Sequence, residues 1–372
     1  INVIRGLIYL GWQINESVIS EAKNLVSLED ELLLPYQVAL AQALMEFYIL
    51  NGKWSNAGEL AQRLEKVWES LENVNWDDVV NRLNKMGMEE NKDRLKEEAK
   101  GLVYDSLASY YHIFDIKKQK KYVDAAYDAM IKLWGGEEKA KENNSNNYFL
   151  TLLKRDATNA VLSKDLGKAL EEVVKHSEEA FRYSPRIATA TLQMIISDYL
   201  VASAYLGRLD VALKVVNDDP DLRDPFLSMS NLFLLGLYSL FYYLTGGKFL
   251  DKVREYAKEL LSSDELTVTG KPMCSRAISE IQRGLMKRLG LNESEALNLI
   301  YILLGTNPEP GIIALLSLGR LLSDLEVVRE LGGCLADNYP GAVAKLLREL
   351  SEAGNEEEFK DALVRLAMYL YL

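Results

Sequence analysis

Two histidines, two cysteines and several adjoining carboxylates are the residues of this chain whose types could do chemistry. His112 stands in "SYYHIFD" and His176 follows Val173 and Val174. Neither belongs to a His-Glu-x-x-His pattern, which would set two imidazoles on one helix face around zinc. His176 has Glu172 and Glu179 at helical spacing, which predicts a pH-sensitive salt link. Cys274 and Cys334 have no histidine near them in sequence to withdraw a thiol proton, and a pair of cysteines makes neither a disulfide framework nor a cysteine zinc set. Asp77 with Asp78, and Asp218 with Asp219, are chain neighbours, whereas hydrolytic acid–base pairs must face each other across a substrate. Asn75 ahead of "WDD" predicts instead a helix start, where the dipole favours acids. Gly-Lys occurs at Gly52, Gly167, Gly247 and Gly270, followed by Trp, Ala, Phe and Pro where a phosphate-binding loop needs Ser or Thr. The glycine doublets at Gly135, Gly246 and Gly332 are expected to end helices. The sequence thus predicts no catalytic residue, no cofactor and no metal.

With 372 residues, 48% hydrophobic and 26% charged, the chain has the balance of a folded protein with a large core. Length suggests two or three domains, or one elongated repeat array. Acids outnumber bases 55 to 43, and the net charge of -12 opposes binding to nucleic acid or anionic membranes. The nearest basic patch is "IKKQKKY", with Lys117, Lys118, Lys120 and Lys121, expected to be a solvated helix junction. Phe226 to Gly247 carries no charge and is long enough for a bilayer, but Ser228, Ser230, Asn231 and Ser239 interrupt it and no positive cluster flanks it. A buried helix is expected there. Few cysteines and no signal-peptide pattern in "INVIRGLIYLGW" point to a reducing, cytoplasmic setting. The absence of an initial Met suggests a removed tag or a piece of a longer polypeptide. Abundant Glu and Lys with few histidines are compatible with a thermophilic source.

Apolar residues recur at spacings of three and four nearly everywhere, so the fold class is all-α, with helices joined by short turns. "LTVTG", Leu266 to Gly270, is the one β-like run and lies by Pro272 in a connector. Four stretches superpose without gaps: "GKWSNA" from Gly52, "KKYVDA" from Lys120, "KDLGKA" from Lys164 and "GRLDVA" from Gly207. Each reads as a turn, a large apolar wedge (Trp54, Tyr122, Leu166, Leu209) and an alanine three residues on (Ala57, Ala125, Ala169, Ala212), where a small side chain lets two helices approach. "GKFLDKV" from Gly247 is a degenerate copy, and "EEFKDA" from Glu357 keeps Phe359 and Ala362.

The stretch "LMEFYILNGKWSNAGELAQRL", Leu44 to Leu64, resembles a tetratricopeptide repeat: Tyr48 lies four residues before Gly52, Trp54 two after it and Ala57 five after it. "SAYLGRLDVALKVV" resembles it too, with Ser203 in the aromatic position. The resemblance covers about half the chain; most intervals exceed the family's period, and the part beyond Leu266 hardly matches. It implies a right-handed α-solenoid of stacked helical hairpins over 1–265, with a less regular helical region, 266–372, continuing or capping it. The family's register would put Gln42, Glu46, Tyr110, Phe114, Lys154, Thr158, Ser197 and Val201 along a concave groove. These do not reproduce the basic and asparagine pattern by which chaperone-binding members clamp a terminal carboxylate.

The function expected is a protein-interaction scaffold that holds a peptide or partner helix in the groove, without catalysis. Two alternatives stand beside it: a sensor arm of a larger signalling ATPase, motivated by the missing Met and apolar opening, and an α-helical enzyme with a pocket between helices.

Overall fold

The computed structural model of the chain describes residues 16–26, 34–50, 53–87, 91–262, 274–305, 308–339 and 341–371. Among them are twenty α-helices, one short 3-10 turn and no strand. The run Leu266–Gly270, Pro272 and Gly52 lie outside the described residues. The chain forms two compact units, 1–155 and 156–372. That division falls within a helix, away from the change in repeat regularity at residue 265.

The first unit contains α1 (Glu16–Leu25), α2 (Leu34–Leu50), α3 (Trp54–Leu71), α4 (Trp76–Lys85), α5 (Lys92–Phe114), α6 (Ile116–Trp134), α7 (Glu137–Asn143) and the first part of α8 (Ser145–Leu162). Helix α2 has no polar stripe: Leu34, Val38, Ala41, Leu44, Met45 and Tyr48 are all buried. It is covered by α1, α3 and α5. Helix α3 is one-sided, burying Ala57, Leu60, Ala61, Leu64, Val67 and Leu71. The hairpin of α5 and α6 turns on Asp115 alone, whose carboxylate accepts from the backbone N–H groups of Lys117 (3.0 Å) and Lys118 (3.2 Å) and caps α6. Asn75 caps α4 by accepting from the Asp78 amide at 3.2 Å, with Asp77 and Asp78 in the first turn as expected.

In the second unit follow α9 (Leu166–Phe181), α10 (Thr189–Tyr205), α11 (Leu209–Asp218), α12 (Pro220–Leu227), α13 (Asn231–Leu244) and α14 (Leu250–Ser262), then α15 (Ser275–Leu289), α16 (Glu293–Gly305), α17 (Pro308–Leu322), α18 (Leu325–Ala336), α19 (Gly341–Glu352) and α20 (Glu356–Leu370). Helix α10 is buried on every face from Leu192 through Ala204, save for a half-buried Gln193 and Met194, and is covered by α9, α11, α12, α13 and α20. It ends in a Schellman turn. Gly207 takes φ 71, while the Arg208 amide reaches the Ser203 carbonyl (2.7 Å) and the Gly207 amide the Ala204 carbonyl (3.2 Å). The apolar stretch Phe226–Gly247 is no single helix: Ser230 caps α13, which bends 108° from α12. Its fourteen residues span about 21 Å, short of a bilayer's hydrocarbon core of about 30 Å. No single helix among the described residues is long and apolar enough to cross a membrane, although the bent pair α12–α13 meets that test by length and composition. Instead α10, α14 and α17 cover α13. A Cβ on Gly236 would stand 2.8 Å from the Pro310 carbonyl oxygen, so glycine sets how closely α13 and α17 approach.

The repeat frame holds at three places and slips at two. Trp54, Leu166 and Leu209 each open a second helix. "KKYVDA" and "EEFKDA", by contrast, lie inside α6 and α20, whose turns are fixed by the side-chain caps Asp115 and Asn355. Ala57 and Ala212 are fully packed, whereas Ala125 and Ala169 are only half-buried. Gly135 and Gly246 end helices in the left-handed region. Gly332 does not. It sits within α18, where a Cβ would come 2.9 Å from Leu350 of α19.

The last helix closes the second unit. Arg365 donates to the Ala160 (3.0 Å) and Val161 (2.8 Å) carbonyls, satisfying the C-terminal end of α8. Tyr205 donates to Asp361 and Tyr243 to Glu356, each at 2.7 Å, and Arg320 of α17 pairs with Glu356 at 2.6 Å. Contacts of α20 with α10 and of α13 with α17 join elements far apart in sequence, which a strict nearest-neighbour stack does not make.

Cys274 and Cys334, read from the sequence as making no disulfide framework, are bonded to each other, with Cα atoms 6.0 Å apart. Sixty residues of sequence hid a pairing that helix packing creates by bringing α18 against the start of α15. In the chain-entropy account a loop of this size stabilises by about 4 kcal/mol, so reduction, or Cys334→Ser, should lower the urea midpoint correspondingly; an unchanged midpoint would contradict it. Ala212→Trp inserts bulk where Ala212 is 1% exposed, and should cost about 1–3 kcal/mol in the same assay.

Candidate functional site

In the first unit, the start of α3, the last turn of α5 and the first turns of α6 bring a set of aromatic rings to the surface. The spacing of α5 explains it. Tyr104, Leu107 and Tyr111 follow one buried stripe, and Tyr110 and Phe114, four residues apart, lie on its flank. Phe114 meets Trp54 edge-on with ring centroids 5.7 Å apart, and Tyr110 lies 4.9 Å from Phe114. Gly58 makes room for Tyr110, whose hydroxyl would be 3.2 Å from a Cβ there. Trp54, expected to wedge between two helices, is instead 39% exposed.

Beneath these rings Glu65 accepts from the hydroxyls of Tyr111 (2.7 Å) and Tyr122 (3.0 Å), rings that stack 5.6 Å apart. Burial and the Glu65 charge push both phenols well above their ordinary value, so they stay neutral donors. The Lys118 ammonium stands 3.8 Å from Glu65, donates to the Tyr111 hydroxyl at 3.1 Å and lies 4.5 Å from that ring's centroid. Of the other lysines in the basic run, Lys120 pairs with Asp124 at 2.8 Å and Lys121 sits over the Tyr122 ring. The run is a helix start whose charges are largely engaged.

The residues expected to line one groove are placed quite differently from one another. Gln42 is buried and donates to Asp105 of α5, and Lys154 of α8 stands 3.9 Å from the same carboxylate. Glu46 is half-buried on α2. Thr158, at 2% exposure, and Ser197 and Val201, at 0%, lie in the packed interior of the second unit and present nothing to a partner. The groove register presumes helices with one solvent face; α10 has none, which is why Ser197 and Val201 face no groove, while Thr158 of α8 lies on the inward side of its helix. Only Tyr110 and Phe114 come together on a surface, joined there by Trp54.

A second polar cluster sits within the other unit, on three successive helices. His176 of α9 bonds through Nδ1 to Asp156 of α8 at 2.6 Å, while Glu172 is 4.0 Å from Nε2. The salt link expected with Glu172 and Glu179 is therefore made chiefly with Asp156, a partner twenty residues away. Its hydrogen bond raises the imidazole's pKa. Asp198 of α10 is completely buried, and neither carboxyl oxygen has a hydrogen-bond partner among the described residues. Burial, and after it the charge of Asp156, hold this carboxyl well above the usual range. Asp198 is thus held toward its neutral form beside the Asp156–His176 pair. Yet Asp198 exposes no surface for a substrate to reach. His112, in the first unit, is pushed down to about 4 by burial and by Lys154, and accepts from Gln119 at 2.9 Å as a neutral ring.

Among the described residues no three His, Cys, Asp or Glu side chains are grouped to hold a metal ion. No family model, no curated protein and no solved structure matches this chain.

The buried acid gives a pH signature. A carboxyl with a raised folded pKa contributes stability that is complete below its unfolded value of about 3.9 and is lost as pH rises toward the folded value. His176, also raised, contributes fully below about 6.5 and loses that contribution as pH climbs through its folded value. Urea unfolding should therefore show stability falling as pH rises above about 4, and falling less in Asp198→Asn. Equal slopes in the two proteins would refute the assignment.

Proposed function

We propose that this chain is a tetratricopeptide-like helical-hairpin scaffold, without chemistry of its own, that binds an acidic peptide segment by an apolar anchor on the Trp54–Phe114–Tyr110 face. Trp54 carries the reading. A large indole at the start of α3, where the hairpin frame calls for a buried wedge, stands 39% exposed and is held edge-on by Phe114 at 5.7 Å. Rigid aromatic rings of this kind give contact area at little entropic cost. The hairpins opening at Trp54, Leu166 and Leu209 support the tetratricopeptide-like part of the proposal.

Charge favours an acidic segment. Lys117, Lys118 and Lys121 are exposed beside the rings at the start of α6, Lys53 adjoins Trp54 over the Phe47 ring at 5.2 Å, and of the nearby carboxylates Glu65 is held by two phenols and Lys118 while Asp115 caps α6. On a chain of net charge -12, this is a local reversal of sign.

Selection of displayed peptides on the full chain, counter-selected on Trp54→Ala/Phe114→Ala, tests the proposal. The expected outcome is a family of acidic peptides with one bulky apolar residue, bound about tenfold or more weakly by the double variant at unchanged melting temperature. Tyr110→Ala should weaken them as well. Peptides that bind both proteins alike, or no enrichment at all, would overturn it.

A further inference from the structure

The bond between Cys274 and Cys334, in the unit of residues 156–372, joins two helices at opposite ends of their dipoles. Cys274 is the residue before α15, whereas Cys334 stands in the last turn of α18, which ends at Ala336. Backbone N–H groups left over at a helix start favour a thiolate, and carbonyls left over at a helix end disfavour one. The charged neighbours act in the same direction. Arg276 lies in the first turn of α15, while Glu330 and Asp337 lie within a turn of Cys334 on either side. Arg276 pairs with Glu330 at 3.5 Å, and Asp337 meets Arg348 at 4.0 Å. Among the described side chains, α16 carries charge only in its first turn, at Glu293 and Glu295. That turn adjoins Gln282, about two turns along α15 from Cys274. Arg320 of α17 is held by Glu356.

Cys274 is also an unfinished cap. A residue in this position ordinarily has extended backbone and accepts from the amide two or three places on. Cys274 instead takes φ 62, and its sulfur, tied to Cys334, accepts from no amide of α15. A left-handed backbone is uncommon for a residue with a Cβ. Both cysteines are half-buried, so a thiol from solvent can reach the bond.

We infer that this bond is a thiol–disulfide exchange site, at which a dithiol reductant attacks Cys334 Sγ and Cys274 leaves as a thiolate that caps α15. The attacking thiolate bonds to Cys334 Sγ, the Sγ–Sγ bond breaks, and its electron pair departs on Cys274 Sγ, the better leaving group of the two. The reductant's second thiol then displaces Cys334, which takes up the proton, and the reductant is left as its own disulfide. Freed from Cys334, Cys274 turns to extended backbone, where its thiolate accepts from the Arg276 and Ala277 amides. The oxidised chain therefore ties an uncapped α15 to α18, and the reduced chain exchanges that tie for a cap.

Glutathione, a single thiol, stops the exchange at its first step. The folded full chain is incubated with it, free thiols are blocked with iodoacetamide, and the peptides are mapped by mass spectrometry. Glutathione should be found on Cys334 and the alkyl group on Cys274, in about tenfold or greater excess over the reverse pattern. In a second measurement the reduced full chain is alkylated with iodoacetamide across a range of pH in native buffer. Cys274 should react about tenfold faster than Cys334 near pH 7, its midpoint lying about one unit or more below the ordinary thiol value of about 8.5. The inference falls if glutathione is found on Cys274 or on both cysteines alike, if the two thiols titrate together, or if the bond exchanges only in urea. Both measurements use the unsubstituted chain, so neither depends on a variant that folds.

Discussion

Helices that are apolar on every side must be surrounded, and that requirement organises both units. Leu34–Leu50 and Thr189–Tyr205 have almost no hydrophobic periodicity because nearly every position is buried. Removing such a helix from water stabilises by roughly 25 cal/mol per Å² of apolar area, but only if neighbours cover the whole circumference. The one-sided helices α3, α9, α11 and α14 supply the cover, each with a narrow apolar stripe turned inward. Where two strongly apolar helix faces meet, as α13 meets α17, glycine at Gly236 permits the close approach. A binding surface must then come from the edges, where cover is incomplete, and the Trp54 face is such an edge.

Much of this was legible in the sequence. Period-three-and-four hydrophobicity gives the all-helical content, Asn75 announces its helix, and Gly207 ends one with the predicted geometry. Trp54, Leu166 and Leu209 open helices as the turn frame requires. The frame slipped at Lys120 and Glu357 because it weighed apolar wedges and ignored caps: Asp115 and Asn355 accept backbone hydrogen bonds and so decide where those helices begin. Reading Asp and Asn for capping would have corrected both.

Other features were beyond a linear reading for a physical reason. Asp156, His176 and Asp198 lie on three different helices, and only packing pairs one ordinary acid with the imidazole and buries the other. The groove residues failed for the opposite reason: a family register was laid over α10, a helix with no solvent face, and Ser197 and Val201 were assigned to a surface that does not exist there.

The bond between Cys274 and Cys334 turns α15, α16 and α17 into a closed covalent ring. Helix α17 is one of the three that shield α13, the most apolar helix among the described residues. If that shield lifts away, the ring limits how far it can travel, and the effective concentration of α17 at its own binding face stays high. A backbone cut within the ring would likewise leave the two pieces as one molecule. The cover over α13 is therefore tethered as well as packed.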